Sequence, residues 1–308
     1  MLFALTSIPS AIEVHDGLPR PDWRIIFDWV DANVAEADLD EAWTQLARDW
    51  LNTVIDALPT GYSLSESSEF MLVANGDART ANHILNCCEH ARCTILDVLA
   101  GVSRDEGFGK HVVLAFGDRE RYYDYISDFY PDEGEFALSG AIFLDRGYGH
   151  FAMCLVPGHD YERTIAHELT HALMRHLPLP LWLDEGVTQV IEDVVVGNSF
   201  FHVDQDLVRR HREYWNGNTI HSFWSGDSFF SPDDGQELSY HLSRVLVRNL
   251  MSDHPKQVIS FLKSANYADA GNTALLDSCG TSLRDQVTQF LGEGEWTPRL
   301  DYNSVDTN

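Results

Sequence analysis

Basic residues are scarce in this chain: 21 Lys and Arg stand against 48 Asp and Glu, a formal charge of −27 over 308 residues. A phosphate backbone would be repelled by such a surface, which argues against DNA and RNA as partners. Long apolar runs are also missing. None approaches the ~18–20 residues needed to cross a bilayer, which argues against a membrane-spanning protein. Met1-Leu2-Phe3-Ala4-Leu5 is apolar but lacks a basic flank, and Pro9 follows soon after. It reads as a disordered or packed arm rather than a signal peptide. Cysteines are few and odd in number. Three of the five, Cys87, Cys88 and Cys93, crowd within seven positions of a predicted helix. That spacing does not suit a disulfide framework and points to a reducing, cytoplasmic setting. Internal repeats and low-complexity linkers are absent too.

What is present reads as an α+β chain. An amphipathic helix, broken once, is expected from Trp23 to about Leu58, ending at Pro59-Thr60-Gly61. Phe70–Ala74 and Val112–Phe116 read as buried strands, each followed by a helix opened by Asp77 or Asp118. The second of these helices should end near Pro131. Phe136–Leu144 and Phe151–Val156 flank Gly147-Tyr148-Gly149 and read as a hairpin. A helix over Tyr161–His176 should stop at Pro178 and Pro180, with another starting near Leu181. Beyond residue 200 the pattern is helical throughout. The expected organisation is a helical N-terminal extension over 1–60, an α/β core over 61–200 and a helical subdomain over 201–308.

The chemistry concentrates in His167-Glu168-Leu169-Thr170-His171. At 3.6 residues per turn, His167 and His171 leave one helix face a turn apart and can converge on a single ion. Neutral imidazole is a good zinc ligand. Glu168, about 100° further round, falls beside the ion, where it can hold a water. Ile165, Ala166 and Leu169 require the helix to be largely buried, and burying these polar groups without a shared partner would be costly.

A third ligand emerges by elimination. Met174 and Leu177 occupy the positions where a metzincin would carry glycine and histidine. His176 points away from His167. After the proline turn, a returning helix can bring Glu185 beside the imidazoles, with thirteen residues intervening after His171 and Asp184 as the alternative. Such a Zn²⁺ site keeps an open fourth position. Glu192, seven residues after Glu185, is either a carboxylate orienting one of the histidines or a solvated helix charge.

These residues resemble the gluzincin metallopeptidases, in particular the compact peptidase MA-like group. The resemblance rests on His167-Glu168-Leu169-Thr170-His171 and Trp182-Leu183-Asp184-Glu185-Gly186, with weaker similarity over about 68–292. It implies a zincin-like fold with a mixed sheet, an active-site helix and a helical C-terminal half. It implies one zinc ion held by His167, His171 and Glu185, with Glu168 as general base, acting on a peptide or protein substrate. It also implies a tyrosine that steadies the oxyanion; Tyr240 fits best, with His241 and His221 as alternatives. Gly140-Ala141 sits where related aminopeptidases pair with the substrate backbone, but the glutamate that anchors a free amino terminus is replaced by Phe143-Leu144-Asp145. The rival readings are a zincin scaffold with structural zinc, serving as a binding or regulatory module, and a toxin-like protease with a single protein target.

Other signals are weaker. His83, Cys87 and His90 have ligand-like helical spacing but also suit a packed helix. Gly147-Tyr148-Gly149 is a turn rather than a phosphate loop. Phe223-Trp224 through Phe229-Phe230 reads as a lid or as a loop pinned by its aromatics.

Overall fold

The computed structural model describes residues 3–15, 17–127, 129, 140–155, 160–198, 201–300 and 302. Backbone contacts divide the chain into two units, one of residues 1–93 and 105–172, the other of 94–104 and 173–308.

The first unit opens with a packed arm, in which Leu5 is buried and its N–H donates to Asp49 Oδ2 at 2.9 Å. An antiparallel hairpin follows, β1 (Ile12–His15) and β2 (Leu18–Pro21). Asp22 then caps α1 (Trp23–Asn33), its carboxylate accepting from the Ile25 N–H at 3.1 Å. Val34 is extended and ends α1; a 3₁₀ turn over Glu36–Asp38 leads into α2 (Leu39–Ala57). The expected break in the helix over Trp23–Leu58 thus falls between Asn33 and Leu39, and the segment before it holds strands.

β3 (Tyr62–Glu66), β4 (Phe70–Asn75), α3 (Ala78–Val98), β5 (His111–Phe116), α4 (Arg119–Ser127), β6 (Ala141–Leu144), β7 (His150–Cys154) and α5 (Tyr161–Met174) complete this unit, α3 and α5 running on into the second. The expected extensions of β6 back to Phe136, of β7 on to Val156 and of α4 to Pro131 lie outside the described residues.

Five strands form one mixed sheet in the order β3-β4-β5-β7-β6. The central β4, β5 and β7 run parallel, while β3 and β6 are antiparallel to their neighbours. Parallel strands are covered on both faces, which is why Phe70 to Ala74 and Val112 to Phe116 are continuous apolar runs and all buried. Trp50 and Leu46 of α2 join the core beneath this sheet, and Trp23 of α1 packs edge-on to Trp50 at 5.3 Å between ring centroids. The β6–β7 turn needs glycine at 147: φ is +69°, and a Cβ there would fall on the Trp23 ring. His150, fully buried, links this turn to α4. Its Nδ1–H donates to the Tyr148 carbonyl and its Nε2 accepts from the Tyr125 hydroxyl, both at 2.7 Å.

The second unit is helical: α6 (Leu181–Val196), α7 (Gln205–Tyr214), α8 (Ile220–Ser225), α9 (Asp234–Asp253), α10 (Val258–Ser264), α11 (Asn272–Cys279) and α12 (Leu283–Leu291). α12 starts with a capping box between Ser282 and Asp285. The aromatic stretch expected as a lid or loop is α8 followed by a 3₁₀ turn over Asp227–Phe230, because Phe223, Trp224 and Phe229 are buried. An imidazole pair, His211 buried and His241 half-buried, joins α7 to α9. The Trp215 indole N–H donates to His211 Nδ1 at 3.0 Å, so the His211 Nε2–H donates to His241 Nδ1 at 2.7 Å. Burial pushes these rings down to about 3 and about 4 respectively, so both are neutral at pH 7.

The architecture is therefore α+β, with a mixed five-stranded sheet followed by a helical half. Among the described residues, no helix is long and apolar enough to cross a membrane.

Candidate metal centre

α5 is set locally by its first turn, where Asp160 Oδ1 accepts from the Arg163 N–H at 3.2 Å. Ile165, Ala166, Leu169, Leu173 and Met174 are buried along one side of the helix. Thr170, also buried, returns its hydroxyl to the Ala166 carbonyl at 2.7 Å. This apolar stripe fixes the rotation of the helix and leaves His167, Glu168 and His171 half-buried on the opposite side.

The turn to α6 is tight. Leu177 N–H closes on Met174 O and Leu179 N–H on Leu177 O, each at 2.9 Å. Pro180 then caps α6 with extended backbone, and the N–H groups of Leu183 and Asp184 both close on its carbonyl. Trp182, Leu183, Val187 and Ile191 are buried and set the rotation of α6. Trp182 is further pinned by its indole N–H, which donates to the Ala270 carbonyl at 3.0 Å.

These two helices bring His167, His171 and Glu185 together, with ligand atoms all within 4.8 Å of one another. Among the described residues this is the one group of three or more such side chains. His167 Nε2 and His171 Nε2 are 3.2 Å apart. Two nitrogens on a tetrahedral zinc, each at about 2.05 Å, stand roughly 3.3 Å from one another. The separation of the two imidazoles as they stand therefore fits a shared ion. Asp184, on the preceding helical position, is outside the group.

Glu185 is 8% exposed and Glu192 is 7% exposed, so Glu192 is a buried carboxylate and not the solvated charge that the sequence left open. Gly186 is a residue whose purpose the sequence does not reveal. A Cβ there would lie 2.6 Å from Val247 Cγ2 and 2.7 Å from the Ser243 carbonyl oxygen, so only glycine lets α6 lie this close to α9. Gln189 ties the same two helices, its Nε2 donating to the carbonyls of Glu185 at 3.2 Å and Tyr240 at 3.0 Å.

Glu168 is held by a group no side-chain motif announces. Its Oε2 accepts from the backbone N–H of Phe143 on β6 at 2.9 Å. Glu168 is also the charged member of a small apolar pocket lined by Ala141, Phe151, Met153 and Leu169. Ala141 opens β6, and the Gly140 carbonyl before it accepts from the Cys154 N–H at 2.9 Å.

Tyr240 lies half-buried on α9, its ring edge-on to Phe229 at 5.1 Å between centroids. The two alternatives to it are engaged elsewhere. His241 belongs to the pair with His211, and His221 Nδ1 is 2.8 Å from the Tyr302 hydroxyl. Cys87 Sγ is 3.9 Å from His83 Nδ1, and burial pushes its thiol up to about 11, away from the thiolate that metal binding needs.

No protein-family model matches this sequence, and no curated protein does.

Proposed function

We propose that this chain is a zinc-dependent hydrolase of the gluzincin type that cleaves peptide bonds, with a zincin-like core around α5. The observation that carries the reading is the His167–His171 separation of 3.2 Å with Glu185 in the same group, Glu168 being the residue after His167 on the same helix. Two neutral imidazoles and one carboxylate leave a bound Zn²⁺ with net positive charge and room for a further ligand. When bound, zinc supplies Lewis-acid polarisation of the substrate carbonyl and makes water acidic near neutral pH.

The residues of the chain do the rest. Glu168 Oε1 takes the proton from the attacking water and returns it to the leaving nitrogen, while Oε2 stays on the Phe143 N–H. Glu185, on a helix fixed by Gly186 and Trp182, holds its ligand position. Tyr240 is the candidate for steadying the oxyanion. A structural zinc site has no use for a base and is closed by a fourth protein ligand, which speaks for catalysis. The charge of −27 favours basic peptide or protein segments over nucleic acid, and five free cysteines suit a reducing, cytoplasmic compartment.

The test is metal analysis of wild type and Glu168→Gln, followed by proteome-wide cleavage mapping with both. Both proteins should carry one zinc, and cleavages made by wild type should vanish in the variant. Full activity in Glu168→Gln would refute the base; zinc without any cleavage by wild type would make the chain a binding module instead.

A further inference from the structure

The Cys154 N–H closes on the Gly140 carbonyl, and Ile142 faces Ala152 two places along the same ladder. Antiparallel ladders alternate, so Gly140, Ile142 and Leu144 turn their backbone groups toward β7 while Ala141 and Phe143 turn theirs outward. Among the described residues β6 ends the sheet, so the Phe143 N–H is an edge donor. It is aimed at one oxygen of one carboxylate, Glu168 Oε2 at 2.9 Å. The Phe143 ring is held in turn by its cross-strand partner Phe151, with centroids 5.0 Å apart. A backbone donor on a hydrogen-bonded strand moves far less than a side chain. It therefore fixes both the direction and the rotamer of the carboxylate it binds.

We infer that the Phe143 backbone N–H is the positioning donor for Glu168, dividing its two oxygens between a fixed one, Oε2, and a working one, Oε1. The inference rests on the hydrolase reading above. Phe143 acts through Glu168, so it is a positioning residue. Its side chain is incidental to this role and its amide hydrogen is essential.

Proline at 143 separates the two. It deletes the N–H without breaking the β6–β7 ladder, since that N–H points away from β7, and the restriction it places on Ile142 is one an extended strand already satisfies. Phe143→Leu changes the side chain and keeps the donor. With zinc bound, Phe143→Pro should lower kcat roughly 10- to 100-fold, the usual effect of losing a partner that orients a metal-site residue. KM and zinc content should stay unchanged, and Phe143→Leu should retain most of kcat.

A second measurement needs no turnover. In the metal-free protein, the Phe143 amide should exchange hydrogen at least about tenfold faster in Glu168→Ala than in wild type, while Ile142, bonded to β7, stays protected. Equal exchange at 143 in both proteins overturns the inference with the hydrolase reading intact. So does a Phe143→Pro enzyme with wild-type kcat. A wild-type protein that shows the exchange difference but hydrolyses nothing overturns the hydrolase reading, and the catalytic part of the inference falls with it.

Discussion

Gly186→Ala sets two physical rules against each other. Gly186 lies inside α6, where alanine is the better helix former by about 1 kcal/mol. Propensity alone therefore predicts a more stable protein. Packing predicts the reverse. The new methyl would meet Val247 Cγ2 at 2.6 Å and the Ser243 carbonyl oxygen at 2.7 Å. Neither can step aside easily, because Val247 is a β-branched residue inside α9 with one favoured rotamer and Ser243 O is backbone. Relief requires α6 to retreat by about 0.7 Å, the difference between 2.7 Å and the 3.4 Å where ordinary contact begins. Overpacking of this kind costs about 1–3 kcal/mol, which offsets the gain in propensity and leaves a net loss of up to about 2 kcal/mol. Glu185 is the adjacent residue, so the retreat displaces its carboxylate as well. Urea denaturation of the metal-free protein measures the first effect, and zinc competition against a calibrated chelator the second. Zinc affinity should fall about tenfold, since ligand sets tolerate only ~0.5 Å of displacement. A variant about 1 kcal/mol more stable than wild type with unchanged zinc affinity would refute the argument.

Alanine at His167, His171 or Glu185 should abolish the thermal stabilisation by zinc, which in wild type should reach about 2.7 kcal/mol at a free metal concentration a hundredfold above Kd; calorimetry with and without zinc reads it directly. Three desolvated histidines, His150 and His211 buried and His241 half-buried, make stability pH-dependent. Burial holds His150 and His241 down at about 4 and His211 at about 3, against an ordinary 6.5. Below pH 6.5 the unfolded chain binds protons that the folded chain refuses, so their contribution is complete above about 6.5 and is lost as pH falls toward about 4. Replacing His150 with Gln should flatten the slope of unfolding free energy between pH 6 and 4.5 by up to about 1.4 kcal/mol per pH unit. An unchanged slope in denaturant titrations across that range would show that His150 protonates freely in the folded state.

Several elements were plain in the sequence because local pattern and tertiary need coincide in them. β4 and β5 are continuous apolar runs, as strands covered on both faces must be. α5 and α6 carry their stop and start in Pro178 and Pro180, and the spacing of His167 and His171 defines a face without any knowledge of the fold. Other elements were hidden because their cause is distant. β2 is Leu-Pro-Arg-Pro, which reads as loop and becomes a strand only by pairing with β1. β3, Tyr-Ser-Leu-Ser-Glu, is half polar because it lies at the sheet edge. α8 is disguised by flanking Ser, Gly and Asp. Within the candidate site, the contact of Phe143 with Glu168 spans 25 residues and uses a backbone group, so no residue type records it. The pairing of His211 with His241 spans 30 and is equally silent in the sequence.

The cap at Pro180 makes α6 a ruler. Glu185 is reached by counting five positions from that proline, and each position turns the chain by about 100° and advances it by about 1.5 Å. Inserting or deleting one residue between them would swing the carboxylate to another side of the helix, however conservative the residue. Length changes in that stretch are therefore barred. Drift in this molecule should leave those few positions free of gaps.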